Sequence, residues 1–384
     1  MTARPPTRRI ALFYPWRPGN AQEFLRGIFR YARPSQPWEF CLTFDSDLPR
    51  LLAWRPAGII GHFFSTAAMA AVKRLNVPAV NTARDVTGGG VPQVGLDDRA
   101  VGVLAAEYLL NRGFRAFAFV GDERKEFSRR TAEGFGTRLL AAHRTPVHAP
   151  RGVFQADAEA LRPPSVRAER WLRHLPTPVA AFAAGDHLAL QVIEAGRAVG
   201  RRVPEDLAVL GAGNIELLCN MAYPSLSSIH VAAEAAGYEA ARLLARLMDG
   251  ETPPTTRLEF PPLGVVTRRS TDVLAVTDTA LANALRFIRE RAHRPIGVAD
   301  VARAALLSRS SLERRFRAGL GRAPAEEIRR VRLERARQLL IETDLAMPLI
   351  AEQSGFRDSG HLSEVFREQS AETPTAYRRR FRVV

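Results

Sequence analysis

Lysine is nearly missing from this chain. Of its 55 lysine and arginine residues only Lys73 and Lys125 are lysines, so the positive charge sits on guanidinium groups, which suit bidentate contacts to phosphate and guanine. Cysteine is scarce as well. Cys41 and Cys219 offer neither the spacing of a metal site nor a disulfide framework, and they are expected as buried thiols in a reducing compartment. No run approaches the ~18 apolar residues of a membrane span, so no membrane partner is expected. The run Ile10-Ala11-Leu12-Phe13 ends at Tyr14-Pro15-Trp16-Arg17, too early for a signal-peptide core, and a cytoplasmic location is expected. Catalytic signatures are missing too. Gly88-Gly89-Gly90 lacks the Lys-Ser/Thr of a phosphate loop, no Gly-x-Ser-x-Gly elbow occurs, and His62, His143, His148, His174 and His187 are scattered. No enzyme activity, cofactor or metal is expected.

What is present is length, net charge and an ordered change of pattern. The 384 residues exceed one ordinary core and predict two or three domains. A net charge of +15 favours a polyanionic partner, nucleic acid before membrane. Up to about residue 265, short apolar runs alternate with helical patterns, as in parallel sheets covered by helices. The strands expected are Ile10–Phe13, Phe40–Phe44, Gly58–His62, Ala79–Asn81, Ala116–Val120, Val179–Ala183 and Leu207–Leu210. Asn20-Ala21-Gln22-Glu23 reads as a capping box opening a helix to about Arg33. Further helices are expected over Thr66–Leu75, Arg99–Arg112, Ser128–His143, Ser165–His174, Leu188–Val199 and Ala232–Asp249. The fold class predicted is α/β, two doubly wound lobes with a cleft at the strands' carboxyl ends. From about residue 278 onward the pattern is nearly all helix.

That last part repeats itself at a separation near fifty residues. Leu312, Phe316 and Pro324 recur as Leu362, Phe366 and Pro374, and Val301-Ala302 recur as Ile350-Ala351, one residue closer, so the second turn is longer by one. The apolar residues four apart share an inward helical face. The opposite face then carries Arg309, Ser310, Glu313, Arg314 and Arg317 in the first copy, with Ser359, Gly360, Ser363, Glu364 and Arg367 in the second. Residues 278–384 hold 21 Arg against 14 Asp plus Glu, which with the paired pattern points to double-stranded DNA. A linking helix from Pro324 to about Ile341 would span roughly 27 Å, long enough to hold two recognition helices about one DNA turn apart.

These features resemble the AraC/XylS family DNA-binding domain. Its second unit typically reads as Ile350-Ala351, Gly355-Phe356, Leu362 to Phe366 and Pro374-Thr375-Ala376-Tyr377-Arg378 do here. Glu364, Gly360 and Ala371 depart from it, so the first unit is expected to read bases and the second to grip the backbone.

Residues 1–272 resemble the sugar-binding module of LacI-type repressors and periplasmic binding proteins, on Gly185-Asp186, the run from Val203 to Gly211, Asn214 and the run from Pro224 to Ile229. The resemblance implies a type I two-lobed module, a linker at 273–277 and an all-α domain with two helix-turn-helix units at 278–384. It further implies an activator, a homodimer that engages RNA polymerase, and a small polar effector, a pentose or other sugar. The candidate ligand residues are Tyr14, Trp16, Asp97, Arg130, Asp186 and Asn214. Asp97 and Asp186 have a competing reading as helix caps. The family's usual ligand arginine is replaced by Thr131, with Arg130 one place earlier, and Gly213 stands where an Asp often meets sugar hydroxyls. A regulator that answers to a non-sugar ligand or to none is one alternative reading; a solute-binding protein is another, disfavoured by the basic helical domain.

Overall fold

The computed structural model describes residues 7–14, 20–35, 37–43, 53–63, 66–83, 90–154, 165–251, 257–273, 278–370 and 372–381. Trp16, Phe44, Gly88, Gly89, Ala371 and residues 274–277 of the expected linker lie outside them. Two six-stranded sheets organise the first part of the chain. One runs β2 (Trp38–Thr43), β1 (Arg8–Phe13), β3 (Gly58–Gly61), β4 (Ala79–Asn81), β5 (Gln93–Leu96) and β11 (Arg257–Phe260), all parallel. The other runs β7 (Val147–His148), β6 (Phe117–Val120), β8 (Val179–Ala183), β9 (Leu207–Gly213), β10 (Ser227–His230) and β12 (Gly264–Val266), with β12 antiparallel to β10. The chain therefore crosses between the lobes after β5, after β10 and after β11.

Strands β3, β6 and β8 are buried at every residue, which is why they read as unbroken apolar runs. Strands β5, β7, β10, β11 and β12 escape that reading. In β10 the reason is explicit. Ser227 and Ser228 are fully buried, and their hydroxyls donate to the Arg268 carbonyl at 2.9 Å and the Asp186 carboxylate at 2.5 Å. Hydrogen bonds thus replace apolar contact as the means of burial.

The sheets are covered by α1 (Asn20–Ser35), α2 (Thr66–Arg74), α3 (Asp98–Leu110), α4 (Glu126–Leu140), α5 (Val166–His174), α6 (Asp186–Ala198), α7 (Glu216–Met221) and α8 (Ala233–Met248). The expected capping box is not formed, because Asn20 is already the first residue of α1. Helices α3 and α4 touch backbone to backbone. A Cβ on Gly102 would lie 2.0 Å from the Thr131 carbonyl oxygen, and one on Gly134 would lie 2.0 Å from that of Arg99. Gly27 and Gly237 make the same reciprocal crossing between α1 and α8.

Beyond β12 the described chain is helical: α9 (Thr279–Arg291), α10 (Val298–Ala304), α11 (Arg309–Leu320), α12 (Pro324–Glu342), α13 (Met347–Gln353), α14 (Ser359–Ser370) and α15 (Pro374–Phe381). One core unites α9, α10, α11 and Ile328 of α12. A second joins Leu333, Ala336 and Leu340 of α12 to Ile350, Leu362, Phe366 and Tyr377, and it also takes in Ala232, Ala235 and Leu263 from the sheet-bearing part. The Tyr377 hydroxyl donates to the Leu263 carbonyl at 3.0 Å.

At the start of α12, Glu327 is fully buried. It accepts from Arg322 at 2.6 Å and from Arg330 at 2.8 Å, while Arg322 also donates to the Asn111 side chain at the end of α3. Burial opposes the charge on Glu327, but hydrogen bonds and charge from Arg330 and Arg322 outweigh it and hold the carboxyl below its usual range.

Two predictions follow from these contacts. Gly102→Ala should cost about 2–3 kcal/mol in a denaturant melt through overpacking. Gly136→Ala, in the next helix with nothing within 4 Å, should gain up to about 1 kcal/mol from helix propensity. The Glu327 contribution should be complete above about pH 4.5, the unfolded value, and drain away as pH falls through the lower folded value. Glu327→Gln should flatten that acid limb and cost about 3 kcal/mol near neutrality, read from urea melts between pH 3 and 7.

Candidate DNA-reading face and ligand cleft

The two short-helix pairs match in helix length and differ in their turns. Residues 305–308 connect α10 to α11, and residues 354–358 connect α13 to α14, so the second turn is one residue longer. Each outer helix is capped by the side chain before it. Ser308 accepts from the Ser311 amide at 3.2 Å, and Asp358 accepts from the His361 amide at 2.8 Å. Leu312 with Phe316, and Leu362 with Phe366, are fully buried, which turns the opposite faces of α11 and α14 outward.

On α11 the outward face carries Arg309, Ser310, Arg314 and Arg317, all exposed. Glu313 is half-buried and pairs with Arg309 at 3.2 Å, which leaves Arg314 and Arg317 as the net positive charge there. Arg315 is turned aside to pair with Asp278, which caps α9. On α14, Gly360, Glu364 and Arg367 are exposed, whereas Ser359 and Ser363 are half-buried and the Ser363 hydroxyl donates to the Ser359 carbonyl at 2.8 Å. The two faces therefore differ in charge as well as in sequence. Helix α12, with 19 residues, spans about 28 Å between the two units.

Gly355 and Leu306 occupy equivalent turn positions, both left-handed at φ 82° and 57°. Gly355 is required by space, since a Cβ there would lie 2.0 Å from the Ala292 carbonyl oxygen. Leu306 stands 93% exposed, so nothing crowds it and only the backbone strain of the left-handed region remains.

Between the lobes lies a cleft of about 260 Å³. From the first lobe it is lined by Asn20, Phe24, His62, Thr82, Leu96 and Asp98, and from the second by Asp186, His187, Gly213 and Ile215. Phe127 and Thr131 of α4 and Val231 of the second crossing complete it. Three of the polar members stand just past the end of a strand, His62 after β3, Thr82 after β4 and Asp98 two residues after β5, and Gly213 closes β9. That is where open α/β sheets gather ligands.

Among the candidates drawn from sequence, Asp186 lines the cleft. It is fully buried and accepts from Ser228 Oγ at 2.5 Å and the Ile215 amide at 2.7 Å. Burial pushes its carboxyl up, and those two donors resist the shift. It is the first residue of α6 rather than its cap. Gly213 sits at φ 123°, and a Cβ there would come within 3.2 Å of both Asn20 Oδ1 and Asp186 Oδ2. A side chain at 213 would close the gap between the lobes that its absence leaves.

The other candidates sit elsewhere. Asp97 does cap α3, accepting from the Ala100 amide at 2.9 Å, and its neighbour Asp98 faces the cleft instead. Arg130 does not line the cleft and pairs with Glu259 of β11 at 3.1 Å, and Thr131 takes the cleft position. Asn214, at φ 52°, uses its side-chain oxygen to accept from Arg268 at 3.0 Å. Tyr14 stands behind the cleft wall, hydrogen-bonded to Thr82 Oγ1 at 2.8 Å. Trp16 lies outside the described residues. Cys219, buried beside Asp186, has its thiol pushed up to about 12 by burial and by that carboxylate, which keeps it protonated and unreactive. Asn20, His62, Thr82 and Asp98 were missed from sequence, although the places of the last three at strand ends were a usable signal.

Residues 106–271 match the periplasmic binding protein-like domain family, and residues 301–380 match a helix-turn-helix domain family. The xylose operon regulatory protein of Escherichia coli K12 is 30% identical over 387 residues, covering 96% of each chain. That of Haemophilus influenzae is 27% identical and covers 96% of this chain and 98% of its own. The solved structure of the xylose-binding transcription activator xylR is 29% identical, covers 97% of this chain and 98% of that one, and superposes with a TM-score of 0.62. Among the described residues no helix is long and apolar enough to cross a membrane.

Turn chemistry yields a prediction of opposite signs. Leu306→Gly should stabilise the first unit by up to about 1 kcal/mol, whereas Gly355→Leu should unfold the second, as read by thermal melts of the full chain with circular dichroism.

Proposed function

The chain belongs to the family of xylose operon regulatory proteins and is a DNA-binding transcription regulator; from that premise we propose that a small, sugar-like effector bound between the lobes controls how the two outward helices meet promoter DNA. The proposed division is a ligand module over 1–272, a linker at 273–277 and a DNA-binding domain over 278–384. The observation that carries the reading is a shared segment. Val231 lines the cleft, and the adjoining Ala232 and Ala235 pack in the core that holds α14. A change of lobe closure at Val231 therefore acts directly on the second helix-turn-helix unit.

In this reading Arg314 and Arg317 of α11 reach base edges, and Arg309 steadies Glu313. Helix α14, with Glu364 exposed and a glycine at 360, holds the DNA backbone chiefly through Arg367 and its capped amino terminus. Asp186 supports the effector pocket from the second lobe. The regulator acts in the cytoplasm as a homodimer, engages RNA polymerase and activates transcription; these follow from family resemblance and from the doubled sites that paired subunits read. No catalytic role is assigned to the cleft.

The test is fluorescence anisotropy of the full chain on duplexes from its own upstream region, with and without saturating pentoses and hexoses. An effector should change the affinity at least about tenfold; no response to any sugar would refute effector control. Arg314→Ala should weaken specific binding by about 1–3 kcal/mol and relax discrimination at one base pair, whereas an equal loss on all sequences would assign it to phosphate.

A further inference from the structure

We propose that Arg112 and Arg289 form an anion site at the joint between the second lobe and the first helix-turn-helix unit, where a phosphate-type oxyanion, free or carried on a small metabolite, ties the two together. The site is separate from the cleft, and it does not depend on the effector reading.

Arg112 is the floor of the site. It follows the carboxyl end of α3 and is 6% exposed. Its guanidinium lies over the Tyr108 ring, 4.3 Å from the centroid. Tyr108 is itself pinned, with its hydroxyl 2.9 Å from Thr267 Oγ1 and 2.7 Å from Thr271 Oγ1. One guanidinium nitrogen, Nη2, donates to Thr267 Oγ1 at 3.2 Å. The other two, Nε and Nη1, are buried without a hydrogen-bond partner. Unmet guanidinium donors are costly to bury, and an oxyanion is the group that meets them best.

Arg289 comes to the same place from the helical part. It stands in the last turn of α9, is half-buried, and has no hydrogen bond or ion pair among the described residues. Burial and then the Arg112 guanidinium beside it pull Arg289 down to about 10, with Tyr108, Glu327 and Arg330 also in range. It is still charged at neutral pH, so two like charges face each other across the joint.

The carboxylates nearby are already committed. Glu327 is shared by Arg322 and Arg330, Glu334 pairs with Arg330 at 2.9 Å, and Glu326 accepts from the Ala323 amide at 2.9 Å. Both cations stand at helix carboxyl ends, which eases their burial, yet no carbonyl accepts from Nε or Nη1 of Arg112. Arg289, Arg322 and Arg330 are only half-buried, so the cluster is open to solvent from the helical side. A phosphate group presents several strong acceptor oxygens in different directions and can meet donors from both modules at once, whereas a carboxylate is planar. Bound there, the anion replaces repulsion with charge-assisted contacts and holds α9 against α3. Its level then sets how firmly the first reading helix is tied to the ligand module.

Isothermal titration calorimetry and melting curves on the full chain, without sugar, test this with inorganic phosphate, ribose 5-phosphate, citrate and sodium chloride at matched ionic strength. Phosphate should bind and raise the melting temperature where chloride does not. Arg289→Gln should weaken phosphate binding about ten- to a hundredfold and, with a like charge removed, leave the phosphate-free melting temperature unchanged or higher. Arg112→Gln should lose phosphate binding in the same way; if its melting curve shows it unfolded, Arg289→Gln decides. Arg286→Gln, exposed on the same helix, should bind phosphate as the wild type does. Tighter binding of ribose 5-phosphate that Arg289→Gln abolishes would make a phosphate ester the occupant, and otherwise it is the free ion. The site is overturned if the wild type binds no phosphate, prefers citrate, or gains no more stability from phosphate than from chloride. Undiminished phosphate binding by Arg289→Gln would overturn it too. So would weaker binding of that variant to duplex DNA in phosphate-free buffer, because the group at the joint would then be a DNA phosphate.

Discussion

The arrangement of this molecule depends on one buried carboxylate. Glu327 has no water to solvate it, and it remains ionised because Arg322 and Arg330 converge on it from its own helix and the turn before it. A charge in that position is tolerable only while both guanidiniums are held in place. Since Arg322 is also bonded to Asn111 at the end of α3, the condition that keeps Glu327 charged fixes the linking helix against the second lobe. The register of both helix-turn-helix units along α12 is inherited from that contact.

The opposite end of α12 is held by different physics. Leu333, Ala336 and Leu340 meet Ala232, Ala235 and Leu263 in an apolar core, and midway Arg332 donates to the Ala292, Arg294 and Ile296 carbonyls that follow α9. The first unit therefore leans on an ion pair, and the second on packing beside the lobe crossing that lines the cleft. Movement of that crossing is felt first by α14, and α11 keeps its place through the polar contact.

Much of the fold was legible because burial on both faces leaves a plain mark. Val179–Ala183 and Ala79–Asn81 were read to the residue, and the fifty-residue repeat placed both outer helices. Strands held by polar networks left no such mark: Ser227 and Ser228 look like loop residues until the carboxylate and carbonyl that satisfy them are in view. The cleft was harder for a related reason. Asp97 and Asp98 are adjacent in sequence but a helix start turns one to the backbone and the other to the cavity. Arg130 and Thr131 are likewise separated by about 100° around α4, and only packing against α3 decides which of the two faces inward. His62 was passed over as one of several scattered histidines because its hydrogen bond to Thr82 and its packing on Tyr14 join residues far apart along the chain.

The joint between the two halves falls in one place along the chain and in another in space. A fragment beginning at Asp278 would contain every residue of the helical repeat, yet it would leave behind Leu263, Ala232 and Ala235. The Tyr377 hydroxyl would lose its acceptor and a strip of α12 its cover. The amino-terminal unit carries its whole core within that fragment and would survive the cut. The carboxy-terminal unit would come away with an unlidded greasy side, prone to clump, so a domain-swap chimera of this regulator has to keep counterparts of Ala232, Ala235 and Leu263 in whichever module it joins.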